Sequence, residues 1–181
     1  MSHVEQRAFC AWVKNKFPQF FTKGTSVLDC GSLDINGNNR WLFDEPLYWG
    51  IDIGDGPNVD QVVAIHELYD EWAGAAGDPF DVVISTEMLE HDVHYQASLR
   101  AMVSCLRSGG LLVFTCATTG RAEHGTARTT PSDSPVTQNY YRNLTPEDIR
   151  AIPGFLEYFS EYQFLIEERH CDLCFYGIKE L

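Results

Sequence analysis

The spacing of apolar residues along the chain alternates between a helical period and short continuous runs. An apolar face recurs at helical spacing over residues 4–17, and a second one over residues 95–106 is followed by Gly109-Gly110, a helix stop signal. Short apolar runs that end at glycine or at a polar residue lie between these segments, as in buried strands. They predict strands over residues 26–31, 48–53, 59–65, 79–85 and 111–116, and two more over residues 162–179.

Three weaker segments complete the predicted order. Residues 66–73 predict a short helix, and Thr145-Pro146-Glu147-Asp148 has the cap, proline and acids of a helix start. Residues 118–143 lack periodicity and predict a long loop, which in a compact domain often covers a binding site. Strands that alternate with helices predict an α/β fold with a mostly parallel sheet and helices on both faces.

Composition and charge narrow the class of protein. The chain has 181 residues, 44% of them hydrophobic, which predicts one domain over residues 1–181. It has no run of about 18 apolar residues and no apolar signal-peptide core near its start, so we expect a cytoplasmic protein without a membrane partner. The net charge of −13 gives no bulk signal for nucleic acid, although it does not exclude a local basic patch. The oligomeric state is not indicated.

The six cysteines indicate a reducing compartment. Several lie in apolar runs, which is typical of free core thiols. Cys171 and Cys174 form a close pair that could bind zinc with His3 or His170, but a second cysteine pair is missing. Strand residues are therefore the favoured interpretation of this pair.

Polar residues at two strand ends indicate a cofactor site, because ligands of parallel sheets bind beyond the carboxyl ends of the strands. Gly31 follows the first predicted strand, where a glycine lets the backbone approach a ligand closely. Asp52 ends the second strand about 20 residues later, and an acid there can accept both hydroxyl protons of a ribose. Each residue alone has an ordinary explanation, as a turn glycine or a helix-capping acid. Together, and in register with the later strands, the two residues indicate a cofactor site more specifically.

The order of these motifs resembles that of class I S-adenosylmethionine-dependent methyltransferases. The resemblance rests on Val-Leu-Asp-Cys-Gly-Ser at 27–32, Gly-Ile-Asp at 50–52, residues 80–91 and residues 106–115, and it covers about half of the chain. It implies an enzyme with a Rossmann-like fold, in which a seven-stranded sheet ends in a hairpin. It also implies that the Gly31 loop holds the methionine part of the cofactor with support from Asp29.

The same resemblance implies the other cofactor contacts. Asp52 would hold the ribose, Ile53 and Ile65 would flank the adenine, and His66 would lie near it. The predicted cofactor-binding residues are Asp29, Gly31, Ser32, Leu33, Asp52, Ile53, Ile65 and His66.

The glycine loop departs from the family pattern. The family usually has Gly-x-Gly-x-Gly, whereas this chain has only Gly31 and Gly37 in the loop, a spacing that fits NAD poorly as well. The contacts of residues 33–38 are therefore left open. Arg40 could pair with the cofactor carboxylate or be a surface residue.

The fourth strand runs into Glu87-Met88-Leu89-Glu90-His91, a candidate reaction site. If a helical turn begins here, Glu87, Glu90 and His91 share one face. His124 follows the neighbouring fifth strand and would complete a four-residue cluster. Carboxylates with imidazoles predict a divalent-metal site, with magnesium or manganese favoured by the oxygen ligands.

This Glu-x-x-Glu-His motif resembles two methyltransferase groups. Ubiquinone-biosynthesis O-methyltransferases share Glu-Met-Leu-Glu-His, and in small-RNA 2′-O-methyltransferases a Glu-x-x-Glu-His with a later histidine holds a metal against vicinal ribose hydroxyls. A bound cation makes a hydroxyl a better nucleophile by lowering its pKa. Without a metal, His91 or His124 could be the catalytic general base, or these residues could merely line the cofactor or cap the helix.

The sequence therefore predicts O-methylation of a small hydroxylated molecule, such as a sugar, a catechol-like ring or a nucleoside end. One alternative is an RNA 2′-O-methyltransferase or another nucleic-acid or protein methyltransferase, although residues 85–88 lack the Asn/Asp-Pro-Pro-Tyr motif of base amino-group methylation. The other is a non-catalytic module that binds S-adenosylmethionine. We expect the loop at 118–143 to cover the substrate, unless it is an ordinary solvated loop.

Overall fold

The computed structural model, which describes residues 3–72 and 79–181, contains a sheet of seven strands. The strand order is β3-β2-β1-β4-β5-β7-β6, and β7 runs antiparallel to both of its neighbours, whereas the other pairs are parallel. The predicted seven-stranded, mostly parallel sheet with a final hairpin is confirmed. The strands are β1 (Ser26–Cys30), β2 (Leu47–Asp52), β3 (Gln61–Val62), β4 (Phe80–Thr86), β5 (Leu106–Ala117), β6 (Phe159–Glu167) and β7 (Asp172–Lys179).

Within residues 3–72 and 79–181, four α-helices cover the two faces of the sheet, as the sequence predicts. On one face, Phe9 and Val13 of the first helix pack with Val82 of β4. On the other, Leu99 and Met102 of the third helix pack with alternate strand residues. Successive residues of a strand point to opposite faces, so both core clusters use the same strands. The helices are α1 (Val4–Lys16), α2 (Ile65–Trp72), α3 (Tyr95–Cys105) and α4 (Pro146–Arg150).

Two helix starts have the caps that fix where the chain turns. His3 precedes α1, and its Nδ1 accepts a hydrogen bond from the backbone of Gln6 at 3.3 Å. Thr145 and Asp148 form a reciprocal capping box at α4, which confirms the predicted helix start.

The predicted boundary between the second clear helix and the fifth strand is wrong. Helix α3 ends at Cys105, and β5 begins at once with Leu106, so Gly109-Gly110 lies inside the strand. Leu106 pairs with Phe80, but the pairing then shifts, and Gly109 takes a φ of +68° in the irregular stretch. Glycine tolerates this left-handed conformation and often marks such a bulge.

Other boundaries also differ from the prediction. The third strand, predicted over residues 59–65, is only Gln61–Val62, because Ile65 begins α2. Ala73, the predicted end of that helix, lies outside the described residues. No helix in the described part of the chain is both long and apolar enough to cross a bilayer.

The topology brings the functional segments to one edge of the sheet. The parallel strands β1, β2, β4 and β5 all end there. Because β7 is antiparallel, its first residue, Asp172, pairs with Ala117, the last residue of β5. The start of the final strand therefore joins the strand ends at this edge.

Candidate active site

A cavity of about 240 Å³ opens at the carboxyl edge of the sheet, beyond β1, β2 and β4. The eight residues predicted to bind the cofactor all line this cavity. At one side the ring of His66 lies 4.4 Å from that of His94, centroid to centroid. Glu87 and His91 are also in the lining, so the cavity connects the predicted cofactor site with the predicted reaction site.

Gly31 lets the backbone turn beside the cavity. Its φ is +80°, and a Cβ on it would lie 2.6 Å from the Cβ of Met88, so a larger residue would be strained in conformation and in contact. Its backbone N–H donates to Ile51 at 2.9 Å, which fixes the turn against the end of β2.

Asp52 is half-buried and held between two loops. Its carboxylate accepts hydrogen bonds from the backbone N–H of Leu33 at 3.1 Å and of Gly54 at 2.9 Å. Burial raises its pKa above the usual aspartate range. Each carboxylate oxygen keeps acceptor capacity for a further donor, and this is the arrangement that holding ribose hydroxyls requires.

Asp29 lies beneath this loop and is fully enclosed. Its carboxylate accepts hydrogen bonds from the Asn39 amide at 3.1 Å and from the Tyr48 hydroxyl. Burial raises its pKa to about 6. Asn39 also donates to Thr86 at 3.1 Å, so it ties the end of β1 to the end of β4. Sequence reasoning missed Asn39, because nothing distinguishes an asparagine in an aperiodic loop.

The loop that departs from the glycine-rich pattern is ordered by side chains instead. Asp34 accepts from the Gly37 backbone at 2.6 Å and from the Asn38 amide at 2.7 Å. Arg40 lies with its guanidinium 4.1 Å from the centre of the Tyr48 ring and hydrogen-bonds Asn58, and it is not part of the cavity lining. The surface-residue alternative therefore fits Arg40 better than a contact with the cofactor carboxylate.

Three of the four residues of the predicted reaction cluster come together. Glu90 and His91 lie on a short 3₁₀ turn after β4, and His124 comes from the loop after β5. One ligand atom from each can be chosen so that all lie within 4.8 Å of one another. The rings of His91 and His124 are 5.1 Å apart, and Tyr141 packs edge-on against both. We call this group the Glu90 triad.

The prediction that Glu87 shares a helical face with Glu90 and His91 is wrong. Glu87 has a φ of +58°, so the chain does not yet follow a helix there. Its carboxylate instead accepts a hydrogen bond from Thr115 at 2.8 Å and lies 3.8 Å from Nε2 of His3.

A second ionic cluster therefore lies beside the Glu90 triad. Nε2 of His3 is 2.9 Å from a carboxylate oxygen of Asp172, and Arg121 approaches Asp172 at 3.2 Å and Glu87 at 3.9 Å. The Asp172 and Glu87 carboxylates are almost fully buried. Because Nδ1 accepts the Gln6 N–H, the ring proton of His3 is on Nε2, where it faces the carboxylate of Asp172. Asp172 could have been suspected from the antiparallel direction of the last strand, which starts at the functional edge.

We predict that His3→Ala lowers the free energy of unfolding by about 1–2 kcal/mol, because it removes both a helix cap and a partner of buried carboxylates. His3→Asn keeps a capping side chain and should recover part of the loss. Val4→Ala, at an exposed neighbour, is the matched control. Urea denaturation measures all three, and an unchanged His3→Ala protein would contradict the role of His3.

The strand interpretation of the cysteine pair is confirmed for Cys174 and wrong for Cys171. Cys174 is buried within β7, Cys171 occupies the preceding turn, and both thiols are free. Among the described residues, no group that could hold a metal includes a cysteine.

Comparisons with solved structures show the same fold. The 1,6-didemethyltoxoflavin-N1-methyltransferase of Burkholderia thailandensis, solved with bound 1,6-didemethyltoxoflavin and S-adenosylhomocysteine, has a TM-score of 0.62 at 15% identity. The match covers 97% of this chain and 78% of that one. The N-methyltransferase NodS of Bradyrhizobium japonicum with S-adenosylhomocysteine has a TM-score of 0.61 at 12% identity. The match covers 97% of this chain and 87% of that one. Magnesium protoporphyrin IX methyltransferase of Synechocystis with S-adenosylmethionine has a TM-score of 0.60 at 15% identity. The match covers 97% of this chain and 80% of that one.

The strand order, with its cavity at the carboxyl edge, is that of the class I methyltransferase fold. Together with the following family match, it identifies the chain as a class I S-adenosylmethionine-dependent methyltransferase, an enzyme. The model of the methyltransferase domain family matches residues 1–181. The chain therefore belongs to that family. No curated protein sequence matches it.

Proposed function

We propose that the protein transfers a methyl group from S-adenosylmethionine to an oxygen of a small hydroxylated molecule, and that a divalent metal held by the Glu90 triad assists the transfer. The related structures include two N-methyltransferases and a carbon methyltransferase by name. The proposal for oxygen therefore rests on the reaction end of this chain.

The cofactor part is supported by the fit between the cavity and a nucleoside. Gly31 lets the backbone turn beside the cavity, and Asp52 offers a fixed carboxylate for ribose hydroxyls. Ile53 and Ile65 supply apolar lining for the adenine. The cofactor supplies an electrophilic methyl group, while this chain binds and orients the two reactants.

The state of the two histidines is the observation that carries the metal proposal. His124 Nδ1 lies 3.2 Å from the carbonyl of Ala122, and its Nε2 is buried without a hydrogen bond. His91 has a hydrogen bond with the backbone of Tyr140, while its Nδ1 is buried without one. A metal-binding histidine typically donates one ring N–H to a carbonyl and keeps the lone pair of the other nitrogen for the ion.

The Glu90 carboxylate supports the same interpretation. It is fully buried, and neither oxygen has a hydrogen bond of normal geometry, although the backbones of Ala117 and of Glu90 itself are close. Burial raises its pKa, with the Glu87 charge adding to the effect. An unpartnered buried carboxylate is costly, and a cation would offset that cost. A bound divalent cation also lowers the pKa of a substrate hydroxyl that approaches it.

The test is a methyl-transfer assay with labelled S-adenosylmethionine and a panel of catechols, sugars, nucleosides and amines. We expect transfer to a hydroxylated acceptor that stops with a chelator and returns with Mg²⁺, Mn²⁺ or another divalent ion. His124→Ala should need more metal, whereas Asp55→Ala, exposed and outside both the cavity lining and the triad, should not. Chelator-resistant transfer would instead favour His91 or His124 as a general base, and transfer only to amines would contradict the oxygen assignment.

A further inference from the structure

The loop that follows β5 extends from the reaction end to the cofactor end of the cavity. Its residues 133–137 line the same cavity as Gly31 and Asp52. Val136 lies against the turn after β2, since a Cβ on Gly54 would be 2.5 Å from Cγ2 of Val136. Gly54 donates its backbone N–H to Asp52 at 2.9 Å. Val136 therefore packs on the turn that fixes the predicted ribose carboxylate.

Residues 123–138, called here the lid segment, have a structure of their own. The backbone N–H of Ala127 donates to Gln138 at 2.9 Å and closes the neck of the loop. Inside it, Thr130 donates to Asp133 at 2.5 Å, and the hydroxyls of Ser134 and Thr137 are hydrogen-bonded. Closed ends with internal hydrogen bonds are the features of an Ω-loop, a compact surface loop that is frequently functional.

The other end of the lid segment contacts the reaction site. A Cβ on Gly125 would lie 2.6 Å from Cε1 of His91 and 2.8 Å from Cβ of Ser134. The backbone at Gly125 is therefore packed between the His91 ring and the rest of the segment. His124, the preceding residue, belongs to the Glu90 triad. One continuous piece of chain thus contacts Gly54 at the cofactor end and His91 at the reaction end.

We propose that the lid segment holds the cofactor through the contact of Val136 with Gly54, and that its closure also carries His124 to Glu90 and His91. The role of His124 rests on the proposed function, whereas the contact with the cofactor turn does not. Val136 shields the hydrogen bonds between Asp52 and the cofactor from water. Contacts of this kind act mainly on the dissociation rate.

Gly54→Ala tests the lid contact selectively. The nearest atoms to the new methyl group, besides Val136, are Oδ1 of Asp52 and Cδ2 of Leu33, each at an ordinary 3.6 Å. The methyl group therefore collides with the lid and spares the rest of the cavity. We expect S-adenosylhomocysteine to dissociate about tenfold faster, measured by stopped-flow displacement.

A double variant distinguishes loss of the contact between Val136 and Gly54 from a general distortion of the cofactor cavity. Val136→Ala removes the colliding Cγ2 and by itself should speed release about threefold. The variant with both changes should release the ligand no faster than Val136→Ala alone, because the collision no longer exists. Val4→Ala, exposed on α1, is the control and should match the original protein. Unchanged release in Gly54→Ala, or single effects that simply multiply in the double variant, would overturn the proposal.

Proteolysis of the unaltered protein gives a second measurement. Arg128 is exposed within the lid segment, so trypsin can cut there when the segment opens. S-adenosylhomocysteine should slow this cut about tenfold, and an equal rate with and without the ligand would contradict the lid. Both experiments use neither metal nor acceptor, so their outcome does not depend on the metal proposal.

Discussion

Asp52→Ala is expected to weaken the binding of S-adenosylhomocysteine by about 1.5–3 kcal/mol, or roughly 10–150-fold in Kd. The carboxylate is held in place by the backbone of Leu33 and Gly54, so it meets the ribose hydroxyls already oriented. Its loss removes hydrogen bonds to a charged acceptor, which are stronger than those between neutral groups. Isothermal titration calorimetry measures the change directly.

Asp55→Ala is the matched control for this prediction. It removes the same charge from the same loop, but Asp55 is exposed and lies outside the cavity lining. The affinity of the Asp55→Ala protein for S-adenosylhomocysteine should stay within a factor of about two of that of the unaltered protein, as for most surface changes. Equal affinities for the Asp52→Ala and the unaltered protein would refute the ribose assignment while leaving the fold untouched.

The placement of the candidate cofactor residues could be predicted from the sequence because it is local to the strand ends. Gly31 and Asp52 each follow a buried run directly, and parallel strands place such residues at one edge. Their position depends only on where β1 and β2 stop, which apolar periodicity indicates well. The structure accordingly brings every predicted cofactor residue to one cavity.

The reaction end was harder to predict because it depends on distant segments. Glu87 takes a left-handed backbone conformation, and its partners, His3 and Thr115, come from the first helix cap and from β5. The spacing of the Glu-x-x-Glu-His motif does not predict these contacts. Val136 contacts Gly54 from an aperiodic loop, and the sequence of such a loop does not predict its path over the surface. The bulge at Gly109 was missed because glycine is also an ordinary helix stop.

Glu90→Gln is expected to remove the response of the protein to divalent metal and to lower kcat about 10²–10³-fold. For the unaltered protein, a metal at about 100 times its Kd adds about 2.7 kcal/mol of stability. In a domain of this size that raises Tm by roughly 5–10 °C. The amide of glutamine has nearly the shape of the carboxylate but neither its charge nor its strength as a ligand. Thermal unfolding with and without metal should therefore show almost no shift for the variant.

The metal-free Glu90→Gln protein should be at least as stable as the original. Glu90 has no ionic partner among the described residues, and removing a buried, unpartnered charge does not destabilise. Glu87→Gln is the matched control, since it makes the same change three residues earlier at another buried carboxylate. It should lose stability, because His3 and Arg121 lose the carboxylate they approach, yet it should keep the metal response. A metal response that disappears in Glu87→Gln and persists in Glu90→Gln would mean that the ion binds between His3, Glu87 and Asp172 and not at the Glu90 triad.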